Sequence, residues 1–477
     1  MNRIRATIIF FIIVAIGSSG IFFSSCKKKS MDGIIIFTRT TGKAENVNYI
    51  TGTLWRYIPQ AQIVELDPLK PGASVKILTS DFYSARSPQI SYDGENMLFC
   101  AQQKQTDPWQ IWEMDLKNLK SRQVIKAKEN CTDPAYLPLG RLVFSKSSVD
   151  DKLKGGHSLY TCNMNGSELQ RITFSPHTYF ASNVLSDGRI LTIDRQVYPN
   201  YGNPMYIILR PDGTKTELFY KDPEGNILSG QGLETANGRI VFIESDNDKS
   251  ATGNIISISY NRPLHSKVSL TSETKGDFHS VFPQHSGKLL VSYRKSESDR
   301  YGLYEFDPET KALGKALYNN NDFDVLEAVE ADKHERPKKL PSEVHMDIKT
   351  GLIVCQDINL SDPQLSGKFS VLPKIFNVEI MGVDSSLGVF QAKTDGSFYL
   401  RISADTPFQI RSLDKNGHVI NTCDWIWLRP NERRGCVGCH EDPELVPENR
   451  RPLAVKKSPI SVPVHIKKIK EKMIDTE

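Results

Sequence analysis

Short apolar runs set off by turn signals fill most of the chain, and few of them have a helical period. Ser91-Tyr92-Asp93-Gly94 is followed by Asn96-Met97-Leu98-Phe99. An Asp-Gly pair ahead of a short apolar run predicts a hairpin strand. A second run of alternating character, residues 110–116, comes shortly after it. The unit recurs: residues 139–144 pair with 158–164, 187–191 with 205–209, 237–242 with 254–258, and 286–291 with 302–307. The turn glycines Gly94, Gly140, Gly188, Gly238 and Gly287 fall at steps of 46, 48, 50 and 49 residues. Near-equal steps of that length suit one four-stranded propeller blade. Upstream, residues 33–37 and 63–67 make a further, stretched unit, so the count is six. The fold expected for residues 33–318 is a six-bladed β-propeller. A pair of irregular β-sandwiches is the other fold this pattern allows.

From residue 319 the pattern breaks. Asn319-Asn320-Asn321 and the charged stretch up to Lys339 read as a linker over 319–343. Strand signals resume at residues 351–355 and continue around the Asp395-Gly396 turn to residues 408–413 and 416–420. Short strands at turn-separated intervals predict a small β-sandwich-like domain over 344–430. A motif-bearing segment, 431–453, and a basic tail, 454–477, complete the chain. The whole chain is expected to be all-β.

The first residues bear on the compartment. Arg3 and Arg5 precede 20 uncharged residues, 6–25, which end Phe23-Ser24-Ser25 directly before Cys26. A charged start, an apolar run and small residues before a cysteine read as a signal peptide. This one resembles a bacterial lipobox, which implies cleavage after residue 25, lipidation of Cys26 and a tether over 26–32. A plain transmembrane anchor is the alternative, since 20 uncharged residues can just span a bilayer. Gly17-Ser18-Ser19-Gly20 interrupts such a span, and Lys27-Lys28-Lys29 would hold the body inside the cell. The expected product is lipid-anchored in the bacterial cell envelope and faces the periplasm.

Composition adds exclusions. Hydrophobic residues at 39% and charged residues at 24% exclude a disordered chain. A net charge of +4, lowered to +2 by loss of Arg3 and Arg5, leaves no nucleic-acid footprint.

The chemistry concentrates in Arg434-Gly435-Cys436-Val437-Gly438-Cys439-His440. Cys-x-x-Cys-His is the attachment motif for c-type haem. Cys436 and Cys439 would form thioethers to one porphyrin, and His440 would ligate the iron. Gly435 and Gly438 are expected to permit the tight backbone this requires. A zinc site would need a second ligand pair, and a thioredoxin-like redox pair would need a βαβ setting; the sequence has neither. His418, His465 and Met381 are candidates for a distal ligand, each with a structural role as the alternative. Cys100 and Cys162 fall in predicted strands, where buried thiols are common. Cys131, Cys355 and Cys423 could include one disulfide, with no partner specified.

Two resemblances bear on function. The Ser-Pro and Asp-Gly pairs and the Tyr- or Trp-containing final strands of the blades resemble the Tol-type propeller repeat. Residues 344–453 resemble the haem-bearing domain of hydrazine synthase alpha-subunit-like proteins. That likeness rests on Cys355-Gln356-Asp357, Asp395-Gly396-Ser397-Phe398, Ala404-Asp405-Thr406-Pro407 and the run Trp425-Ile426-Trp427-Leu428-Arg429-Pro430-Asn431-Glu432, continuing through the cysteine motif to Asp442. It implies a propeller joined to a haem domain, within a multi-subunit, multi-haem complex that makes hydrazine. This chain has a single Cys-x-x-Cys-His. The expectation is therefore a membrane-anchored monohaem c-type cytochrome with one covalent haem, engaged in electron transfer or small-ligand redox chemistry with a redox protein partner. A propeller binding or assembly lipoprotein and a redox-enzyme subunit are the alternatives.

Overall fold

The structure is a computed structural model that describes residues 33–42, 47–70, 74–246, 252–360, 373–438 and 450–464. Cys26, Cys439, His440 and His465 lie outside the described residues. Among those described, the only helices are short 3-10 turns such as Asp151–Leu153, and everything else regular is strand. The all-β expectation holds.

Six sheets follow one another between residues 35 and 330. The second is representative: Ser84–Ile90, Asn96–Gln102, Gln110–Asp115 and Ser121–Gln123 pair in chain order, each antiparallel to the last. The turn glycines predicted from spacing all take the left-handed conformation, with φ between 67° and 89°. In the fifth sheet the innermost strand is split into Ile227–Leu228 and Leu233–Glu234. Gly230 and Gly232 fall in the gap, where a missing side chain weakens strand pairing.

The first sheet differs in origin. Ile35–Thr40 pairs on one side with Gln62–Leu66 and on the other with Asp324–Glu330. The sequence reading placed residues 324–330 in the linker, and the structure makes them a strand. Val325, Leu326, Ala328 and Val329 are buried there, which outweighs the polar residues before them. The first sheet is thus assembled from both ends of this region.

Successive sheets share apolar cores because both faces of each strand are covered. Ile36 and Ile63 pack with Met97 and Phe99 of the second sheet, whereas Ile35 and Phe37, on the opposite face, pack with Leu290 and Leu303 of the sixth. The remaining neighbours share cores likewise, from the second and third sheets to the fifth and sixth. The arrangement is propeller-like.

The innermost strands repeat one irregularity. Ser87, Asp133, Ala181 and Glu327 each have a φ between 50° and 58° at or beside a break in pairing register. A bulge at this point turns side chains away from the sheet face. Glu327 and Asp133 so meet two buried arginines. Arg86 is ion-paired to Glu327, Arg56 lies 3.4 Å from Glu327 and 3.3 Å from Asp133, and Ser87 donates its N–H to Glu327 at 3.0 Å. Burial opposes charge on Glu327, yet Arg86 and Arg56 hold its carboxyl below the ordinary value. Buried charges persist only when matched in this way. A cavity of about 50 Å³ adjoins them, edged by His279, whose pKa burial pushes down to about 4.

The second domain has two four-stranded sheets. One orders Arg433–Cys436, Thr350–Cys355, Phe398–Ser403 and Ile460–Ser461; the other orders Ser386–Gln391, Asn377–Gly382, Phe408–Leu413 and Val419–Thr422. Ile353, Leu400 and Ile402 of the first pack against Val378, Ile380 and Phe408 of the second. This is the sandwich-like core expected. Its connection to the propeller-like region runs over turns of that region. Lys338 donates its N–H to Ser186 O at 2.9 Å, and its own carbonyl lies so close to Gly188 that any Cβ there would collide with it.

Candidate haem-attachment site

Cys436 ends a strand that is fixed along its length. Arg433–Cys436 runs parallel to Thr350–Cys355, with Leu352 opposite Arg433 and Cys355 opposite Cys436. Leu352 N–H donates to Glu432 O at 2.8 Å, Gln356 N–H to Cys436 O at 2.9 Å and Asp357 N–H to Val437 O at 3.0 Å. Paired backbone groups on this scale hold the cysteine's backbone in one register. Arg450, from the far side of the motif, braces the same turn. It pairs with Asp357 at 2.8 Å and donates to Gln356 O and Asp395 O.

The residues just before this strand dock it on the fourth propeller-like sheet. Trp427 is 2% exposed, packs with Tyr179, Ile190 and Leu209, and donates from Nε1 to Gly213 O at 3.2 Å. Arg429 donates to Asp212 O at 2.9 Å, pairs with Asp405 at 2.5 Å and covers the Phe174 ring at 4.9 Å. Glu432 is buried and accepts N–H bonds from Arg429 at 2.8 Å and Lys215 at 3.0 Å. Burial raises the Glu432 pKa above its usual value, against the opposing pull of Arg434 and those two N–H groups. His177, fully buried, lies 2.7 Å from Asp194 and 3.5 Å from Asp424, so it bridges the two parts. Burial disfavours its imidazolium, but the two carboxylates outweigh that and leave its pKa raised.

Two thiols and an imidazole are the donor set for c-type haem, and the described part of the motif fits that use. Cys436 is half-buried at a strand end beside the apolar core, with Ile353 and Cys355 among its members. Gly438 passes so close to Leu360 that a Cβ would collide with the Leu360 carbonyl. Gly435, by contrast, sits in the strand with open space where a Cβ would be. The tight backbone predicted for both glycines belongs to Gly438 alone. Cys439 and His440 lie outside the described residues.

The other candidates are dispersed. His418 is exposed on a turn and pairs with Asp414 at 3.1 Å. Met381 alternates with buried Val378 and Ile380, which places it on the outer face of the sheet that does not carry Cys436. Cys100, Cys131 and Cys162 share the core between the second and third sheets, whereas Cys355 and Cys423 belong to the sandwich. Three features are not evident from the sequence: Cys355 beside Cys436, the docking role of Trp427, Arg429 and Glu432, and the group of Glu327 with the buried Arg56, Arg86 and Asp133. For the last, the blade step was the available signal, since it carries Asp133 to Ala181 and His279 to Glu327 at 48 residues each.

Residues 341–441 match the family described as the hydrazine synthase alpha subunit middle domain. Over that segment the chain is similar to hydrazine synthase alpha subunits. It is 22% identical over 534 aligned positions to hydrazine synthase subunit alpha of Kuenenia stuttgartiensis, a match covering 85% of this chain and 65% of that relative. The chain thus spans just under two thirds of that relative's length. It also superposes on the solved Kuenenia stuttgartiensis hydrazine synthase with a TM-score of 0.77 at 20% identity, over 89% of this chain and 71% of the other. At that identity the shared property is the fold. The segment with the family match includes both the docking run and the cysteine motif.

Proposed function

We propose that this chain is a haem-bearing redox-enzyme subunit. One c-type haem would be attached through Cys436 and Cys439, with His440 as its axial ligand. The observation that carries the reading is the placement of Cys436: a strand locked in register on one side and docked through Trp427 and Glu432 on the other. The haem would supply one-electron exchange at its iron. The chain's own part is to hold Cys436 still, to keep the neighbouring turn closed through Arg450, and to fix the haem domain against a rigid body. That body we read as a closed six-bladed propeller. Support comes from the shared first–sixth core and the pairing of Asp324–Glu330 with Ile35–Thr40. Closure leaves few sheet edges open and offers broad faces to a protein partner.

A second reading is a monohaem cytochrome that transfers electrons on its own, favoured by the single Cys-x-x-Cys-His in 477 residues. Reduced-minus-oxidised spectra with and without carbon monoxide separate the two. A carbon monoxide shift, from an open iron site, is expected for the enzyme subunit. A spectrum that carbon monoxide leaves unchanged selects the electron carrier. Absence of any haem spectrum would leave the propeller as a binding or assembly module.

We also propose that Cys26 is lipidated and holds the protein to the cell envelope, facing the periplasm. Several acyl chains together anchor firmly, at about 0.8 kcal/mol per buried methylene. Cys26→Ala should release the protein from the membrane fraction or leave the signal uncut. A wild-type chain that keeps residues 1–25, with Cys26→Ala retained in the membrane just as the wild type is, would reject lipidation in favour of a spanning helix.

A further inference from the structure

We infer that Cys355 is the redox partner of Cys436 in the haem-free chain, and that their disulfide must be reduced before haem can be attached. The first half stands on the strand geometry alone; the second rests on the haem reading above.

Cys355 and Cys436 are direct partners in the parallel pairing, and each is the last residue of its strand. Adjacent strands lie about 4.7–4.9 Å apart, inside the Cα separation of about 4.4–6.8 Å that a disulfide accepts. Both side chains face the same way. Gly351, Ile353 and Cys355 alternate toward the interior of the sandwich, and Cys436 packs on the same apolar cluster. The ladder bond next to the pair, Gln356 N–H to Cys436 O at 2.9 Å, joins backbone atoms, and the side-chain disulfide would form beside it. The bond would also close a loop of about 80 residues, which removes more unfolded-chain entropy than the short ring between Cys436 and Cys439.

The step is thiol–disulfide exchange. Cys436, the more exposed of the two, attacks an oxidised thiol compound such as glutathione disulfide and releases one reduced glutathione. The Cys355 thiol then attacks the mixed disulfide and releases the second. The two protein thiols lose two protons and two electrons, and the oxidant gains them as two thiols.

The test uses the full chain made without haem-maturation machinery, treated with glutathione disulfide, alkylated, digested and mapped without reduction. The expected product is one peptide pair joined through Cys355 and Cys436, two hydrogens lighter than the reduced peptides. A Cys436–Cys439 bridge, or alkylated Cys355, would overturn the inference. For the second half, Cys355→Ser should raise the haem-bearing fraction when the chain is made with the maturation machinery under oxidising conditions. An unchanged fraction would overturn that half. Should Cys355→Ser not fold, adding a reductant to the wild-type culture serves instead, with the same rise expected and an unchanged fraction again decisive. If the wild-type chain takes up no haem at all, the haem reading fails while the peptide map still decides the pairing.

Discussion

Trp427→Ala should separate the unfolding of the sandwich-like domain from that of the propeller-like region. Trp427 is the one large side chain of the docking run that inserts into the core of the fourth sheet, beside Tyr179, Ile190 and Leu209. It also supplies the N–H that meets Gly213 O at 3.2 Å. Truncating a buried tryptophan costs about 3–5 kcal/mol, because the transfer energy is lost and a cavity remains. Here much of that loss falls on docking, since the pocket walls come from the other part of the chain. Denaturant unfolding should change from one cooperative transition to two, the earlier one belonging to the sandwich-like domain, and proteases should cut sooner near residues 331–345. Trp427→Phe should keep much of the packing and fall between the two. A single transition in Trp427→Ala, shifted by less than about 0.5 kcal/mol, would place this side chain among ordinary surface positions.

Replacing Cys436 and Cys439 together by serine should abolish covalent haem entirely. Serine keeps the size and loses the nucleophile, so both thioethers go while the strand Arg433–Cys436 keeps its backbone ladder. The paired variant should therefore fold and remain colourless after denaturation. His440→Ala should still carry attached haem, with its iron coordination changed, because the thiols and not the imidazole make the covalent bonds. A denaturing gel stained for haem reads both results. Haem staining that survives in the double serine variant would break the assignment of these cysteines.

Most of the propeller-like region was legible because its signals are local. Asp93-Gly94 and its counterparts each sit in a hairpin a few residues long, and their spacing repeats. Asp324–Glu330 was hidden because its partner, Ile35–Thr40, lies almost the full length of the region away, and the residues before it are polar. The buried arginines were hidden for a related reason. Arg56 and Arg86 look like surface charges until strand bulges bring Glu327 and Asp133 to them. In the sandwich-like domain the haem proposal comes from the spacing of Cys436, Cys439 and His440 in the sequence. Cys355 did not show, because a parallel pairing between strands some eighty residues apart leaves no mark in local spacing. Trp427, Arg429 and Glu432 stood out as part of a resemblance, and only the structure gives them a task in docking.

The most direct measurement is the intact mass of the wild-type chain, made with the periplasmic haem-maturation machinery and denatured before analysis. The expected mass is that of the processed chain plus one haem, with the haem recovered on the peptide that contains Cys436 and Cys439. A mass with no added haem would contradict it and remove the redox function with it.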